Sequence, residues 1–554
     1  MAAASTMDME LATTPRAVEV PWRPRINPWI VALTVTLATF MEVLDSSIAN
    51  VALPHIAGGL GATQDEATWV ITAYLVANAI ILPAGAYMTT FIGRKKFYMI
   101  CVGLFGISSA LCGLAPTLPI LVFCRVLQGI GGGGLAPSEQ AILADTFEPA
   151  KRGQAFALYG LAVVCAPAIG PTLGGYITDN FDWRWIFYLN VPICLLSLFL
   201  TSRIVEDPPY VTKQVEETQK GGLKLDFLGF ALLGLTFGSL EFVLDKGQED
   251  DWFGSKIITF FICVTVSAFV TMIWWELKQL QEGHRPILNL TLFKRRVFAI
   301  SFTLMFVLGF SLYGTTILIP QFVQTMLGYT AELAGLVLSP AGLMMMCMMP
   351  VVGILSGKVD MRKLLAYGFT MLTLSLLWMG NLNLQLSYGQ LVFMRMFQAS
   401  GLAFMFIPIN TIAYIGVKQS ENNDVSGLTN LARNIGGSCG TAFMATMLTR
   451  RIAAHENSMS RDMTPASAGF VRQVTNLAGA FKAGNGASVP GGPYGGASAG
   501  AIHQAMASIY NQMHRQSATL AYVDIIRYLT IFCAAMLPLL LFIPKPPKNM
   551  RGGH

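Results

Sequence analysis

Along most of the chain, apolar runs of about 20 residues alternate with short polar breaks, the length a helix needs to cross the hydrocarbon core of a bilayer. Fourteen such runs can be marked, near 29–51, 67–90, 97–115, 119–144, 153–176, 185–203, 227–244, 256–277, 298–320, 332–356, 364–382, 390–416, 426–450 and 523–543. Most breaks hold only a few residues, so neighbouring helices must run antiparallel. The pattern predicts an all-α polytopic membrane protein. On one side the short breaks carry only Arg184, Lys246 and Lys256, while the opposite side gathers most of the other basic residues. Lys and Arg concentrate in cytoplasmic loops, which places both termini in the cytoplasm. Asp8, Glu10 and several prolines precede a long first run, unlike the basic start and short apolar stretch of a cleavable signal.

The spacing of several features repeats. Pro54 and Pro320, Gly170 and Gly436, and Gly174 and Gly440 are each 266 residues apart; Pro83 and Pro350 are 267 apart. Arg94-Lys95 recurs as Arg362-Lys363, and Arg125-x-x-Gln128 as Arg395-x-x-Gln398. Spans 1–6 and 9–14 therefore read as homologous halves with spans 7 and 8 inserted between them. The chain divides into a tail 1–28, a first bundle 29–203, a linker 204–297 with two inserted helices, a second bundle 298–543 and a tail 544–554. Two parallel six-helix halves facing each other across a midplane cavity are an architecture of secondary transporters. A duplicated scaffold protein is the alternative.

Composition agrees with a bilayer. Hydrophobic residues make up 53% and charged residues 12%, with a mean hydropathy of +0.54; soluble domains carry about 25% charged residues. The net charge of +6 lies in short loops rather than on one domain, so it reads as topology and excludes a nucleic-acid partner. All nine cysteines lie within apolar runs with no metal-ligand spacing, which implies neither a disulfide framework nor a metal site. No HExxH and no phosphate loop occurs, so neither an enzyme nor a nucleotide cofactor is expected. The segment 451–522 is the one sizeable extramembrane piece. Its Gly-rich middle, 483–501, cannot hold a helix, while 466–482 and 501–522 can. It reads as a flexible linker or as a docking surface.

Ionisable groups inside a bilayer cost about 2.5–3.5 kcal/mol each on insertion scales and are functional by default. Glu42 and Asp45 share one face of span 1, and neither has a basic neighbour in sequence. Asp45 falls opposite Ser311 in the second half, so this acid occurs once. A proton carrier need occur only once, and Asp45 is expected to be an unpaired, proton-coupling acid, with Glu42 as second candidate. Arg125 opens span 4 and must face the bundle, as a relay to span 1 or as a structural clamp. Gly170, Pro171, Gly174 and Gly175 suit a helix that bends and packs closely. The turns GRKK at 93–96 and GKVDMRK at 357–363, with Gly93, Arg94, Asp360 and Arg362, serve as topology anchors or as gates. Tyr74, Asn78, Gln128, Glu139, Phe404, Met405, Phe406, Asn410, Asn430 and Arg433 are candidates for the wall of a cargo cavity, or for groups satisfied within the bundle.

The stretches FMEVLDSSIANVALPHIAG (40–58), RVLQGI (125–130), APAIGPTLGGYITDNFDWRWIFYLNVPI (166–193) and LDKGQEDDWF (244–253) resemble the EmrB/QacA multidrug–proton antiporters, the fourteen-span branch of the major facilitator superfamily. The resemblance runs over nearly the whole chain and implies a 6+2+6 helix arrangement and proton-coupled export of hydrophobic and amphipathic compounds across the inner membrane. It implies that Asp45 is the span-1 acid, Arg125 the span-4 arginine, and 170–175 the antiporter segment. It also implies a periplasmic adaptor of the EmrA type and a TolC-like outer-membrane channel as partners, the long outward loop suiting such a contact. The superfamily's acid three residues before Gly93 is Thr90 here, and Asp360 is expected to substitute for it in part. A dedicated exporter of one metabolite or siderophore is the rival reading.

Overall fold

The structure, a computed structural model, describes residues 24–220, 226–461, 463–481, 494 and 498–543. The expected tails 1–28 and 544–554 lie almost wholly outside these residues, as does most of the Gly-rich stretch. Helices dominate: α1 (Pro28–Leu60), α2 (Gln64–Ala67), α3 (Trp69–Ile92), α4 (Arg94–Leu114), α5 (Leu118–Gly133), α6 (Leu135–Thr146), α7 (Arg152–Asn180), α8 (Trp185–Tyr188) and α9 (Asn190–Ile204) build the first half. The linker supplies α10 (Pro209–Lys220), α11 (Phe227–Lys246) and α12 (Lys256–Gln281). The second half follows with α13 (Arg296–Leu327), α14 (Ala331–Ser356), α15 (Met361–Met379), α16 (Tyr388–Ala413), α17 (Asn422–Ser460), α18 (Ala468–Ala480) and α19 (Ala499–Met536).

Local sequence explains where these helices start and stop. Pro28 opens α1 behind Asn27, whose side chain accepts from the Trp29 N–H, and Gly61 closes it at φ 65°. Ser387 and Gln390 form a reciprocal capping box on α16. Gly93, at φ 86°, makes the sharp turn from α3 to α4, a conformation that side-chain-bearing residues rarely adopt.

Among the described residues, eleven helices are long and apolar enough to span a bilayer, or twelve if α7, bent by 40° near Pro167, counts as one. The chain is a multi-pass membrane protein. The other two expected spans, near 364–382 and 426–450, are helices α15 and α17, which fall short of that apolarity. For α17 the reason is packing. Asn422, Asn423, Asp424, Asn430 and Arg433 are buried against protein, not lipid. At the opposite extreme, Phe260, Val266, Val270 and Trp274 of α12 are mostly exposed, as lipid contact requires.

The halves meet along two seams, α3 against α17 and α7 against α14. Within the second half a glycine sets the approach of α13 to α17: a Cβ on Gly309 would sit 2.1 Å from the Arg433 carbonyl oxygen. The inserted α11 lies over the first seam and holds both sides. Thr72 of α3 donates to Asp245, Lys246 Nζ lies 2.5 Å from Thr68 Oγ1, and Ser438 of α17 donates to Glu241 at 2.6 Å.

The segment 451–522 is more ordered at its flanks than a flexible linker would be. The helix α17 continues to Ser460, and α18 packs on the first turns of α19 through Val474, Ala478, Ala501, Ala505 and Ile509. The helix that carries the last expected span, 523–543, accordingly starts far earlier, at Ala499.

Candidate functional site

The residues of α1 that carry its two acids face α3, α5 and α9. Asp45 is 3% exposed, and it is paired, contrary to expectation. Arg125 Nη1 lies 2.6 Å from Asp45 Oδ2, while Gln128 Nε2 and Asn190 Nδ2 donate to Oδ1 at 3.0 and 2.6 Å. The same Arg125 Nη1 lies 2.9 Å from Gln128 Oε1, and Nε donates to the Val70 carbonyl at 3.0 Å. A carboxylate this deep is tolerable because an opposite charge and two amide donors replace its water. Gln128 therefore belongs to the Asp45 cluster rather than to a cargo wall.

One turn away, Glu42 has different company. It accepts from the Tyr74 hydroxyl at 2.8 Å and from Asn78 Nδ2 at 3.2 Å. Among the described residues no basic side chain forms an ion pair with it. Tyr74 joins the two acids, since the Arg125 guanidinium lies 4.3 Å from its ring centroid while its hydroxyl serves Glu42. The glycines of α5 make room for this: a Cβ on Gly132 would sit 2.7 Å from the Tyr74 hydroxyl and 3.3 Å from Glu42 Cγ. Glu139, fully buried, accepts from Thr36 of α1 at 2.6 Å, and its second oxygen has no hydrogen-bond partner.

A polar ladder continues from α6 and α7 across to the second half. Gln140 donates to Asn410 at 3.1 Å, and Asn430 donates to Gln140 at 3.0 Å. Tyr159 donates to Asn430 at 2.9 Å and accepts from Arg433 at 2.7 Å. Phe406 packs on the Tyr159 ring at 5.8 Å. Phe404 does not join them; it stacks edgewise on the partly exposed Tyr367 of α15.

Towards the face that carries the two basic turns, Arg94 pairs with Asp145 and donates to the Ala141 carbonyl at 3.1 Å. Tyr210 of α10 donates to Asp145 at 2.5 Å and accepts from Arg94 at 3.0 Å. Asn422 of α17 donates to Asp145 at 2.6 Å, and Asn423 donates to Thr89 at 2.7 Å. Among the described residues, the side-chain hydrogen bonds between the halves fall in this ladder and on this face, which is closed. Besides Asp145, a second acid meets the 93–96 turn: Asp207, whose Oδ1 accepts from the Lys95 N–H at 2.9 Å. Burial pushes the Asp207 carboxyl above the usual aspartate range. Asp360, expected to substitute in part, caps α15 by accepting from the Arg362 N–H at 3.1 Å, and Arg362 lines a cleft of about 280 Å³ with Arg152 and Lys358.

In the 170–175 segment, Cβ atoms on Gly170 and Gly174 would meet Ser47 Oγ at 2.4 Å and Ile48 Cγ2 at 3.0 Å of α1, whereas one on Gly175 would meet nothing within 4 Å. Pro171 lies inside the helix, which bends at Pro167 and continues to Asn180. Sequence reasoning missed Asn190, Tyr159, Gln140, Asp145, Asp207 and Tyr210. No spacing signal marks them, because each meets its partner only through the fold.

Comparison with known proteins bears on this arrangement. Residues 35–441 match the family model of the Major Facilitator Superfamily. The chain is 37% identical to the multidrug export protein EmrB of Escherichia coli (strain K12), over 81% of this chain and 86% of that one. It is 33% identical to the probable multidrug resistance protein EmrY of the same strain, over 95% and 96%. The solved structure of the proton:xylose symporter XylE superposes with a TM-score of 0.55 at 14% identity, covering 94% of this chain and 96% of that one, which shows a shared fold.

Proposed function

We propose that this chain, which belongs to the Major Facilitator Superfamily alongside the EmrB and EmrY export proteins, exports hydrophobic and amphipathic small molecules in exchange for protons. It is a transporter and not an enzyme. In this reading it crosses the inner membrane fourteen times with both termini in the cytoplasm. The closed face with the 93–96 and 357–363 turns is then the cytoplasmic one, and the structure is the outward-facing state. The hairpin of α18 and α19 is the surface for a periplasmic adaptor of the EmrA type, itself joined to a TolC-like channel.

The observation that carries the reading is the contrast between the two acids of α1. Protonating Asp45 would strand the buried Arg125 charge, whereas Glu42, held by Tyr74 and Asn78, can gain or lose a proton without breaking a direct ion pair. Glu42 is therefore the carrier, and the Asp45–Arg125 pair is the fixed charge beside it. In the inward-facing state cargo displaces the proton of Glu42 into the cytoplasm; after rocking, a periplasmic proton rebinds and the cargo leaves. One charge moving through 100 mV is worth about 2.3 kcal/mol, enough for a roughly fifty-fold cargo gradient before any pH contribution. Breaking the Asp145–Asn422 and Thr89–Asn423 bonds opens the cytoplasmic face.

Reconstituted in vesicles under an imposed pH gradient, the protein should move an amphipathic dye against its gradient. Glu42→Gln should still bind the dye at equilibrium but ignore the pH gradient. Gradient-driven accumulation by Glu42→Gln at the wild-type rate would reject the assignment.

A further inference from the structure

The internal repeat places Arg395-x-x-Gln398 of α16 where the first half has Arg125-x-x-Gln128, and Ser311 of α13 where it has Asp45. The side chains show what that one replacement does. Arg125 spends its charge on Asp45. Arg395 donates only to Gln398, which turns its amide to Thr315 at 3.1 Å, and Ser311 contacts Cys533 at 3.3 Å instead. Among the described residues Arg395 forms no ion pair. It is 7% exposed, and its Nε has no hydrogen-bond partner. A guanidinium in that condition is costly to bury, so its retention calls for an anion that completes it.

The space for that anion is present. Arg395 and Gln398 line a small, partly open cleft of about 60 Å³ together with Tyr313 and Thr316, and among the described residues no Asp or Glu lines it. The remaining wall is apolar and crosses the seam, with Val163, Pro167 and Leu338 in it. Pro167 sits at the bend of α7, immediately before the antiporter segment, so a molecule in the cleft touches both halves.

We propose that Arg395 is the anion-selecting residue of the cargo site, pairing with the carboxylate of an amphipathic monoanion at the place where the first half carries its own acid. The apolar wall takes the hydrocarbon part, and Gln398 orients the guanidinium. This rests on the export reading above, but it concerns equilibrium binding and can fail separately.

The test uses full-length protein in phosphatidylcholine nanodiscs with radiolabelled dodecanoate and, as neutral reference, dodecanamide. The wild type should prefer the acid. Arg395→Gln should weaken dodecanoate binding about 10- to 100-fold, the range expected for one charge-assisted hydrogen-bonding partner, and erase the preference over the amide. Arg395→Lys should retain part of the preference, because the charge stays and the fork is lost. If Arg395→Gln does not fold, Ser311→Asp carries the test, since it supplies the missing acid and should also abolish the preference. Equal loss for both probes, or none for either, overturns the proposal. Adding phosphatidylglycerol separates the sources of the anion: unchanged dodecanoate affinity supports cargo, while competitive loss assigns the site to a lipid headgroup and overturns it. Gradient-driven efflux of ethidium by the wild type tells the two readings apart. If that efflux is absent, export is rejected and the binding result stands; if efflux is present while dodecanoate ignores Arg395, only this inference is rejected.

Discussion

Replacing Asp45 by Asn keeps the volume and removes one charge, so its cost measures the pairing directly. In the native cluster two amide donors, from Gln128 and Asn190, share Oδ1, and the guanidinium of Arg125 takes Oδ2. An asparagine has one oxygen. It can serve the two amides and turn an NH2 group against the guanidinium, or serve the guanidinium and turn it against the amides. Either way a buried cation loses its counter-charge, and removing one partner of a buried pair costs about 3–5 kcal/mol. The melting temperature of Asp45→Asn in detergent, followed by loss of monodisperse protein, should fall by about 5 °C or more. The double variant Asp45→Asn/Arg125→Gln removes the stranded charge and should regain much of that loss, giving a large coupling in the double-mutant cycle. Glu42→Gln, which keeps a carbonyl oxygen for Tyr74 and Asn78, should melt close to the wild type. Should Asp45→Asn melt within about 1 °C of the wild type, or should the double variant be no better than the single one, the assignment of roles on α1 is wrong.

Other expectations follow from the closed face and the helix contacts. Asn423→Ala removes the donor to Thr89 across the seam, a loss of about 1 kcal/mol, and should raise the open fraction of the cytoplasmic face about fivefold in spin-label distances between positions 151 and 358. Gly174→Ala should depress transport because Ile48 stands 3.0 Å from the new methyl group, whereas Gly175→Ala should transport like the wild type. Asp207 has a folded-state pKa above its unfolded one, so its contribution to stability is present in acid and lost as pH rises through the raised value. Asp207→Asn has no proton to lose; its melting temperature relative to the wild type should therefore rise from pH 4 to pH 8, and a flat difference would refute the sign.

Apolar run length and repeat spacing made the helices, the two halves and the inserted pair legible from the sequence, because crossing a bilayer imposes a length and a polarity that any reader of the chain can see. α17 falls short of the apolarity of its neighbours for the opposite reason: its Asn422, Asn423 and Asn430 side chains are bonded to α3, α6 and α7 and its Asp424 to Arg285 and Asn289 of the linker, partners that composition alone does not reveal. Glu42, Asp45 and Arg125 stood out as charges inside apolar runs. Their pairing did not, since Arg125 reaches Asp45 from 80 residues away and the sequence around Asp45 shows no cation. At the 93–96 turn repeat logic pointed to Asp360, but it could not point to Asp145 of α6, which pairs with Arg94, or to Asp207 of the linker, which has no counterpart in the repeat.

The inserted α11 has a consequence for traffic within the bilayer plane. Clasped to α3 by Thr72 and Thr68 and to α17 by Ser438, it works as a shutter over one flank of the molecule. A lipid-dissolved compound meets that shutter on the α3 side, whereas on the other flank α7 and α14 pack directly against each other.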